Sequence, residues 1–239
     1  MNKNILVVCG PTAIGKTSTA IKLANQLNGE IISADSRQVY KYMDIGTGKD
    51  VGENKKFNLK TKLNGFDIGN YKVDDIPIWL LDMAKPGKQV TVADWIKGAK
   101  HILKHLEQKN KLPIITGGTG FYIQGLLQGI DTLGVAPDWK LRDKLNDWPL
   151  EKLQNKLKDL APQVFNKLNR SDRHNPYRLI RKMEIAKAKK EKPSQFDKGS
   201  EKLEADIVKI GLKAPKKMIY KRIDYRVEKR LEQGLLEEI

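Results

Sequence analysis

Eight residues near the start of the chain have the types and the spacing to hold a phosphate. Gly10-Pro11-Thr12-Ala13-Ile14-Gly15-Lys16-Thr17 satisfies G-x-x-x-x-G-K-[ST] at every fixed position. In such a loop the glycines let the backbone bend so that its N–H groups converge on one polyphosphate. A helix opening at Lys16 turns its positive end toward the same spot. Lys16 adds a point charge, and the Thr17 hydroxyl is placed to hold Mg²⁺. The apolar run Ile5 to Cys9 ahead of the loop and the helical period of Ser18 to Leu27 behind it supply the strand and the helix that the pattern needs. The chemistry is that of an anion site for a diphosphate or triphosphate. The generic ligand of the pattern is ATP, but the loop by itself names neither the molecule nor the reaction.

Other reactive groups stand at comparable places. Asp35 follows the apolar stretch Ile31 to Ala34, and Asp82 follows Ile76 to Leu81. Gly117-Gly118-Thr119-Gly120 follows Leu112 to Thr116, and Arg222 and Arg226 lie one helical turn apart. Each also has a plainer reading. Asp35 can cap a helix, Asp82 can be a turn residue or an acid beside a metal, and the two arginines can pair with glutamates on their own helix. His101 and His105 share a helix face, but without a third ligand they read as a solvated face rather than a zinc site. Trp79, Trp95, Trp139 and Trp148 read as packing residues rather than platforms for bases.

The elements that must position these groups follow from periodicity. Strands are expected over Gly29 to Ser36, Ile76 to Asp82, Leu112 to Thr116 and Asp206 to Leu212, and a helix over Val92 to Gln108. Strand and helix alternate, with polar turns at strand C-terminal ends, which is the pattern of a doubly wound α/β fold with a parallel sheet. Ligands in such sheets bind beyond the strand C-termini. The turns after Cys9, Ala34, Leu81 and Thr116 are therefore expected to line one crevice. Asp50 to Asp75 shows little period and reads as irregular, as a hairpin or a flap. From Pro137 to about Lys192 only helical stretches appear (Trp139 to Leu145, Leu150 to Leu160, Tyr177 to Lys190), with a loop over Arg170 to Pro176. Lys189 to Glu204 is charged and reads as exposed. A last helix starts near Pro215.

Composition narrows the partners. The 239 residues carry 45 Lys and Arg against 29 Asp and Glu, a net charge of +16. From Ala136 onward there are 27 basic and 17 acidic residues, so the excess is heavier in the second part. A polyanion such as nucleic acid is one reading, since Lys and Arg gain affinity by releasing counterions from phosphates; a solvated lysine-rich surface is the other. No apolar run is long enough to span a membrane. The opening residues run directly into a strand, which leaves no room for a secretory leader. Cys9 is the only cysteine, so no disulfide forms within the chain. The expected location is the cytoplasm.

Taken together, the motifs resemble one family. They are G-P-T-A-I-G-K-T from Gly10, I-I-S-A-D-S-R-Q-V-Y from Ile31, M-D-I-G-T-G-K from Met43, L-P-I-I-T-G-G-T-G-F-Y from Leu112, Y-R-L-I-R-K-M-E from Tyr177, and Y-K-R-I-D-Y-R-V-E-K-R from Tyr220. In this order they are similar to the bacterial tRNA dimethylallyltransferase (tRNA isopentenyltransferase) family, along the chain from Asn4 to Ile239. The resemblance implies a P-loop NTPase-like core over 1–135, a helical, basic tRNA-binding insertion over 136–204, and a return to the core over 205–239. It implies transfer of a dimethylallyl group from its diphosphate to N6 of the adenosine 3′-adjacent to the anticodon, in tRNAs reading codons that start with U. The loop residues Gly10 to Thr17 would then hold the donor's diphosphate with Mg²⁺, helped by Arg222 and Arg226, the latter a catalytic residue. Asp35 is implied as the catalytic acid at the adenosine amine and Thr119 as the residue beside the target nucleotide. Ser36, Arg37, Gln38, Arg142, Arg178 and Arg181 are implied as tRNA contacts. The partners would be the anticodon stem-loop of tRNA and dimethylallyl diphosphate, with no membrane and a monomeric enzyme.

The chain departs from the pattern in three places. Trp79-Leu80-Leu81-Asp82 stands where the family has a His-His-Leu-Ile-Asp-like segment. The stretch from Lys49 to Asp82 is longer than usual, and extra residues around His174 make Arg173 compete with Arg178 for the R-x-x-R position. The family also continues with further helices after the position of Ile239, so a shortened C-terminus is implied. The rival activities are prenyl transfer to a free adenine nucleotide, a P-loop kinase, and RNA binding without catalysis.

Overall fold

Seven strands form one sheet, and three of them end level with one another at the edge where the chemistry is expected. In chain order the elements are β1 (Asn4–Cys9), α1 (Lys16–Gln26), β2 (Gly29–Ser33), β3 (Asn58–Leu63), β4 (Phe66–Val73), β5 (Ile76–Trp79), α2 (Val92–Gln108), β6 (Leu112–Thr116) and α3 (Gly120–Gln128). A helical stretch follows: α4 (Trp139–Leu145), α5 (Leu150–Leu160), α6 (Pro162–Asn166), α7 (Arg170–Arg173) and α8 (Pro176–Glu191). The chain then returns with β7 (Asp206–Gly211), α9 (Lys216–Glu232) and α10 (Leu235–Glu238). This computed structural model describes residues 4–49, 51–52, 56–130, 132–133, 135–191 and 202–239. Most of the charged stretch read as exposed after Lys189 lies outside the described residues.

The strand order is β3-β4-β5-β2-β6-β1-β7. From β5 to β7 all neighbours are parallel. Thr116 pairs with both Val8 and Ser33, so the turns after β1, β2 and β6 open at one level. Leu6, Val8, Ile31, Ile78 and Ile114 join Ala20 and Ala24 of α1 in one core cluster. The alternate residues Val7, Ile32 and Ile115 are also buried and point to the opposite face. Strands covered on both faces read as unbroken apolar runs, which is why they are legible in the sequence. Helix α2 is set by a capping box between Thr91 and Asp94. Its Trp95 is fully buried and donates its indole N–H to the Ser33 carbonyl at 2.9 Å, and it stacks on Tyr122 of α3. That bond fixes the end of β2 two residues before Asp35.

The sheet is not wholly parallel. Within the stretch read as irregular, a hairpin or a flap, β3 and β4 form an antiparallel hairpin that continues antiparallel into β5. The reason is local. Asn64-Gly65 and Asp74-Asp75 are two-residue turns with positive φ at both positions, the geometry that favours tight hairpins. A two-residue link cannot make the crossover that a parallel pair requires. The expected loop over Arg170 to Pro176 contains α7, capped by the Asn169 side chain on the Asp172 N–H. His105 leaves the solvated face assigned to it: its ring packs edge-on to Trp79 at 5.5 Å, and burial, reinforced by Lys109, lowers its pKa.

The chain divides into two compact units, Met1–Gln128 with Lys202–Ile239, and Gly129–Glu201. The divisions fall a few residues before the 136 and 204 read from the sequence, because α3 ends at Gln128 and the chain turns away at Gly129, whose φ is +80°. The second unit has its own core, with Leu145, Leu153, Leu157, Phe165, Leu179, Ile180 and Met183 at its centre. One buried carboxylate ties its helices together. Glu184 of α8 accepts Arg142 Nε at 2.6 Å and Nη2 at 3.1 Å, Arg181 Nη1 at 2.7 Å, and the Asp138 N–H at 3.1 Å. Burial works against the Glu184 charge, but these donors overcome it and hold its pKa below the ordinary value of 4.5. The stabilisation is therefore present above the unfolded carboxyl's pKa and is lost as pH falls through the folded one. Glu184→Ala is expected to cost about 3 kcal/mol of stability, because it leaves the Arg142 guanidinium buried without its partner. Thermal melts at neutral pH measure this, and the gap to the wild type should narrow on acidification below pH 4.5.

Candidate active site

The level ends of β1, β2 and β6 open into a cleft of about 1290 Å³ in the first unit. The loop from Thr12 to Thr17, Asp35, Arg37, Gln38 and the turn Thr116 to Gly118 line it from the sheet side. Arg222, Arg226 and Arg230 of α9 line it from the other. Part of the lining is apolar, formed by Ile31, Val51, Val73, Ile78 and Leu81.

Among the described residues, Lys16, Arg222 and Arg226 converge there on main-chain carbonyls. Lys16 Nζ folds onto the Pro11 carbonyl at 2.8 Å. Arg222 donates to the Ile14 carbonyl at 3.4 Å and Arg226 to the Gly48 carbonyl at 3.5 Å. Burial lowers the Lys16 pKa, Asp35 opposes that, and Arg226 adds to it. A cleft in which like charges disfavour one another, each held only by a neutral carbonyl, is prepared for an anion.

The Asp35 carboxylate is fixed but not consumed. Its Oδ1 accepts the Arg37 N–H at 2.9 Å and the Gln38 N–H at 3.4 Å, which closes the turn after β2. Oδ2 lies on the side of Gly118, where a Cβ would approach it to 2.8 Å. A side chain at 118 would displace that oxygen. Thr119 anchors the arrangement from behind: its N–H donates to the Ala34 carbonyl, its Oγ1 accepts the Ser36 N–H at 2.9 Å, and its hydroxyl reaches Ser36 Oγ at 3.1 Å. Thr119 and Ser36 are thus joined to each other rather than open on the cleft. Gln38 is likewise engaged, donating to the Gly48 carbonyl at 2.8 Å and accepting from Ser33 Oγ at 3.3 Å. Of the segment Ser36 to Gln38, Arg37 is the exposed residue.

The loop from Tyr40 to Lys49 forms the third wall and rests on a buried ion cluster. The Lys49 side chain is 0% exposed. Its ammonium bonds Asp82 Oδ1, the Tyr40 carbonyl, and Asp44 Oδ1 at 2.9 Å. Tyr71 donates to the other Asp82 oxygen at 2.6 Å, and burial together with that carboxylate pushes its phenol pKa up. Asp82 is therefore engaged by Lys49 and Tyr71. At Gly48, with φ +66°, any Cβ would lie about 2.1 Å from Arg226 Nη2 and 2.2 Å from Arg230 Nη2. The absence of a side chain there lets both guanidinium groups in. Glu238 of α10 accepts the N–H groups of Asp44, Ile45 and Gly46 at 2.7, 2.7 and 2.8 Å. Burial raises its pKa, but these three donors reverse the direction and hold it low.

Arg142, Arg178 and Arg181 belong to the second unit. Arg142, expected as an RNA contact, is buried against Glu184. Arg181 divides its guanidinium between Glu184 and the Val135 carbonyl at 2.7 Å. Arg142 joins α4 to α8, and Arg181 ties α8 to the segment before α4, because a buried carboxylate cannot be left without donors. Arg178 is about half exposed and pairs with Asp172. Lys49, Arg230 and Glu238 escaped the sequence reading of the site. Arg230 continues the four-residue spacing of Arg222 and Arg226, and that signal was available. Nothing local marks Glu238 or the burial of Lys49.

Comparison with known proteins gives the family of the chain. A family model described as IPP transferase matches residues 38–239, and one described as isopentenyl transferase matches residues 3–62. The chain belongs to the IPP transferase family. It is 38% identical over 244 aligned residues to the tRNA dimethylallyltransferase of Alkaliphilus oremlandii, covering 100% of this chain and 71% of that relative. It is 37% identical to the enzyme of the same description from Acetivibrio thermocellus, covering 99% and 71%. Among solved structures, a eukaryotic dimethylallyltransferase acting on tRNA superposes with a TM-score of 0.75 at 26% identity, over 99% of this chain and 55% of that one. The tRNA isopentenylpyrophosphate transferase of Bacillus halodurans gives 0.59 at 30% identity, over 100% and 69%.

The buried cluster makes a testable claim. Lys49→Met is expected to lower stability by about 3 kcal/mol, since it leaves Asp82 buried without its cation. Adding Asp82→Asn should recover part of the loss. Chemical denaturation of the two single variants and the double variant measures the coupling.

Proposed function

We propose that this chain transfers a dimethylallyl group from dimethylallyl diphosphate to N6 of the adenosine on the 3′ side of the anticodon in the anticodon stem-loop of tRNA. The observation that carries the reading is the meeting, in one cleft, of a cationic phosphate site, one carboxylate with an uncommitted oxygen, and an apolar lining. Relatives described as tRNA dimethylallyltransferases support the substrate class.

In this reading the Thr12 to Thr17 loop, Lys16, Arg222 and Arg226 hold the diphosphate, and the five-carbon tail lies along Ile31, Val51, Val73, Ile78 and Leu81. The exocyclic amine is a weak nucleophile. Asp35 Oδ2 accepts its proton as N6 bonds to C1 of the dimethylallyl group. The C1–O bond breaks, its electron pair leaves with the diphosphate, and the cations stabilise the charge that develops there. The apolar lining shields the allylic carbon from water. Mg²⁺ is part of the proposal. Among the described residues no group of three or more His, Cys, Asp or Glu side chains gathers to hold a metal. The exposed Thr17 at the cleft wall instead suits the usual Mg²⁺ arrangement of few protein oxygens plus substrate phosphates. When bound, the ion supplies further positive charge at the leaving group.

The test uses tRNA lacking the modification, dimethylallyl diphosphate and Mg²⁺, with nucleosides analysed by mass. Asp35→Asn keeps an oxygen for the Arg37 and Gln38 N–H groups and removes the base. It should lower kcat by about 10² to 10⁴ with donor affinity nearly unchanged. Arg226→Gln should lower kcat by about 10² to 10³ and weaken donor binding as well. Full activity of Asp35→Asn, or AMP accepting the group as well as tRNA does, overturns the reading.

A further inference from the structure

Two aromatic rings in the second unit lie outside its core. Trp139 is 56% exposed and Tyr177 is 60% exposed, and neither joins the apolar cluster that Trp148 packs against. Burying large rings is among the strongest drives in folding, so two held in solvent around one guanidinium call for an explanation. They are also held firmly. The Arg142 guanidinium carbon lies 5.0 Å from the centre of the Trp139 ring and 5.1 Å from that of Tyr177. That guanidinium is itself locked by its two bonds to the buried Glu184. Each ring thus turns a face to a fixed cation and remains more than half open.

We propose that Trp139 and Tyr177 form a stacking platform for an unpaired nucleotide of the RNA. This rests on the reading of the partner as tRNA and names a site of contact outside the cleft. Every base has a face that stacks on an aromatic ring without regard to sequence, and single-stranded RNA is bound by such rings set among positive charges. The surroundings suit a polyanion: from Gly129 to Glu201 the chain carries 17 Lys and Arg against 11 Asp and Glu. A duplex keeps its bases stacked inside, so the platform selects an unpaired loop. Arg142 acts here through the rings that it positions, which gives a function to an arginine whose own donors face Glu184.

The experiment compares Trp139→Ala, Tyr177→Ala and Trp139→Phe with the wild type in binding an RNA hairpin with an open loop and a blunt duplex of equal length, across a salt series. Trp139→Ala is expected to weaken hairpin binding roughly fivefold to 150-fold. Duplex affinity and the slope of log Kd against log salt should stay as they were, because no charge is removed. Tyr177→Ala should act in the same direction, and Trp139→Phe should retain most of the affinity. Intrinsic fluorescence quenched by the hairpin should come largely from Trp139, since Trp79 and Trp95 are buried and Trp148 packs against the apolar cluster of the second unit. Unchanged hairpin affinity in both alanine variants, or equal loss for hairpin and duplex, overturns the proposal. Prenyl transfer plays no part in these readouts. Failure of the transfer assay with aromatic-dependent hairpin binding intact therefore counts against the enzymatic reading alone.

Discussion

Positive charge crowded around one opening, with neutral carbonyls as its support, is the constraint on which the rest of the first unit depends. Lys16, Arg222 and Arg226 come from two distant parts of the chain and each rests on a main-chain carbonyl. Carboxylate partners would relieve the repulsion and would also fill the site. Carbonyls hold the side chains in place and leave the charge available. Such an arrangement is stable only if the framework does not yield. Here the framework is the sheet edge where β1, β2 and β6 end in register.

The second requirement is a wall that keeps α9 facing that edge. In the loop from Tyr40 to Lys49 the one buried residue is Lys49, so its anchor is electrostatic. A fully buried ammonium binds Asp82, Asp44 and the Tyr40 carbonyl. Buried ion clusters are poor sources of net stability, but they tolerate few alternative arrangements because a misplaced charge has no solvent to turn to. The loop then offers its carbonyls to Arg226 and Arg230 and its N–H groups to Glu238. One peptide segment thus organises cations with one set of dipoles and an anion with the other.

The helical unit uses the same device differently. Glu184 collects two arginines that the sequence suggested for RNA. Those side chains set the helices, and the exposed aromatic rings take their positions from one of them. A basic composition therefore does not mean that each basic residue meets the polyanion, since part of the charge is structural.

Much of this was legible in the sequence where physics is local. Leu112 to Thr116 and Val92 to Gln108 are the strand and helix that their apolar periods indicate, because a strand buried on both faces or a helix with one buried face must carry that pattern. The hairpin of β3 and β4 was one of the readings open for Asp50 to Asp75, and its strands and register were not legible there because polar outer faces hid the alternation. What the sequence determined by itself was the set of elements, the phosphate loop, and the strand-end position of Asp35. Only the tertiary structure decided which charges are free. Arg142, Gln38 and Asp82 look as available on paper as Lys16 and Arg226. Whether a polar group faces a ligand or a buried partner depends on contacts between residues far apart in the chain. Glu184, Gly48 and Lys49 supply those partners, and no spacing rule within one segment encodes them.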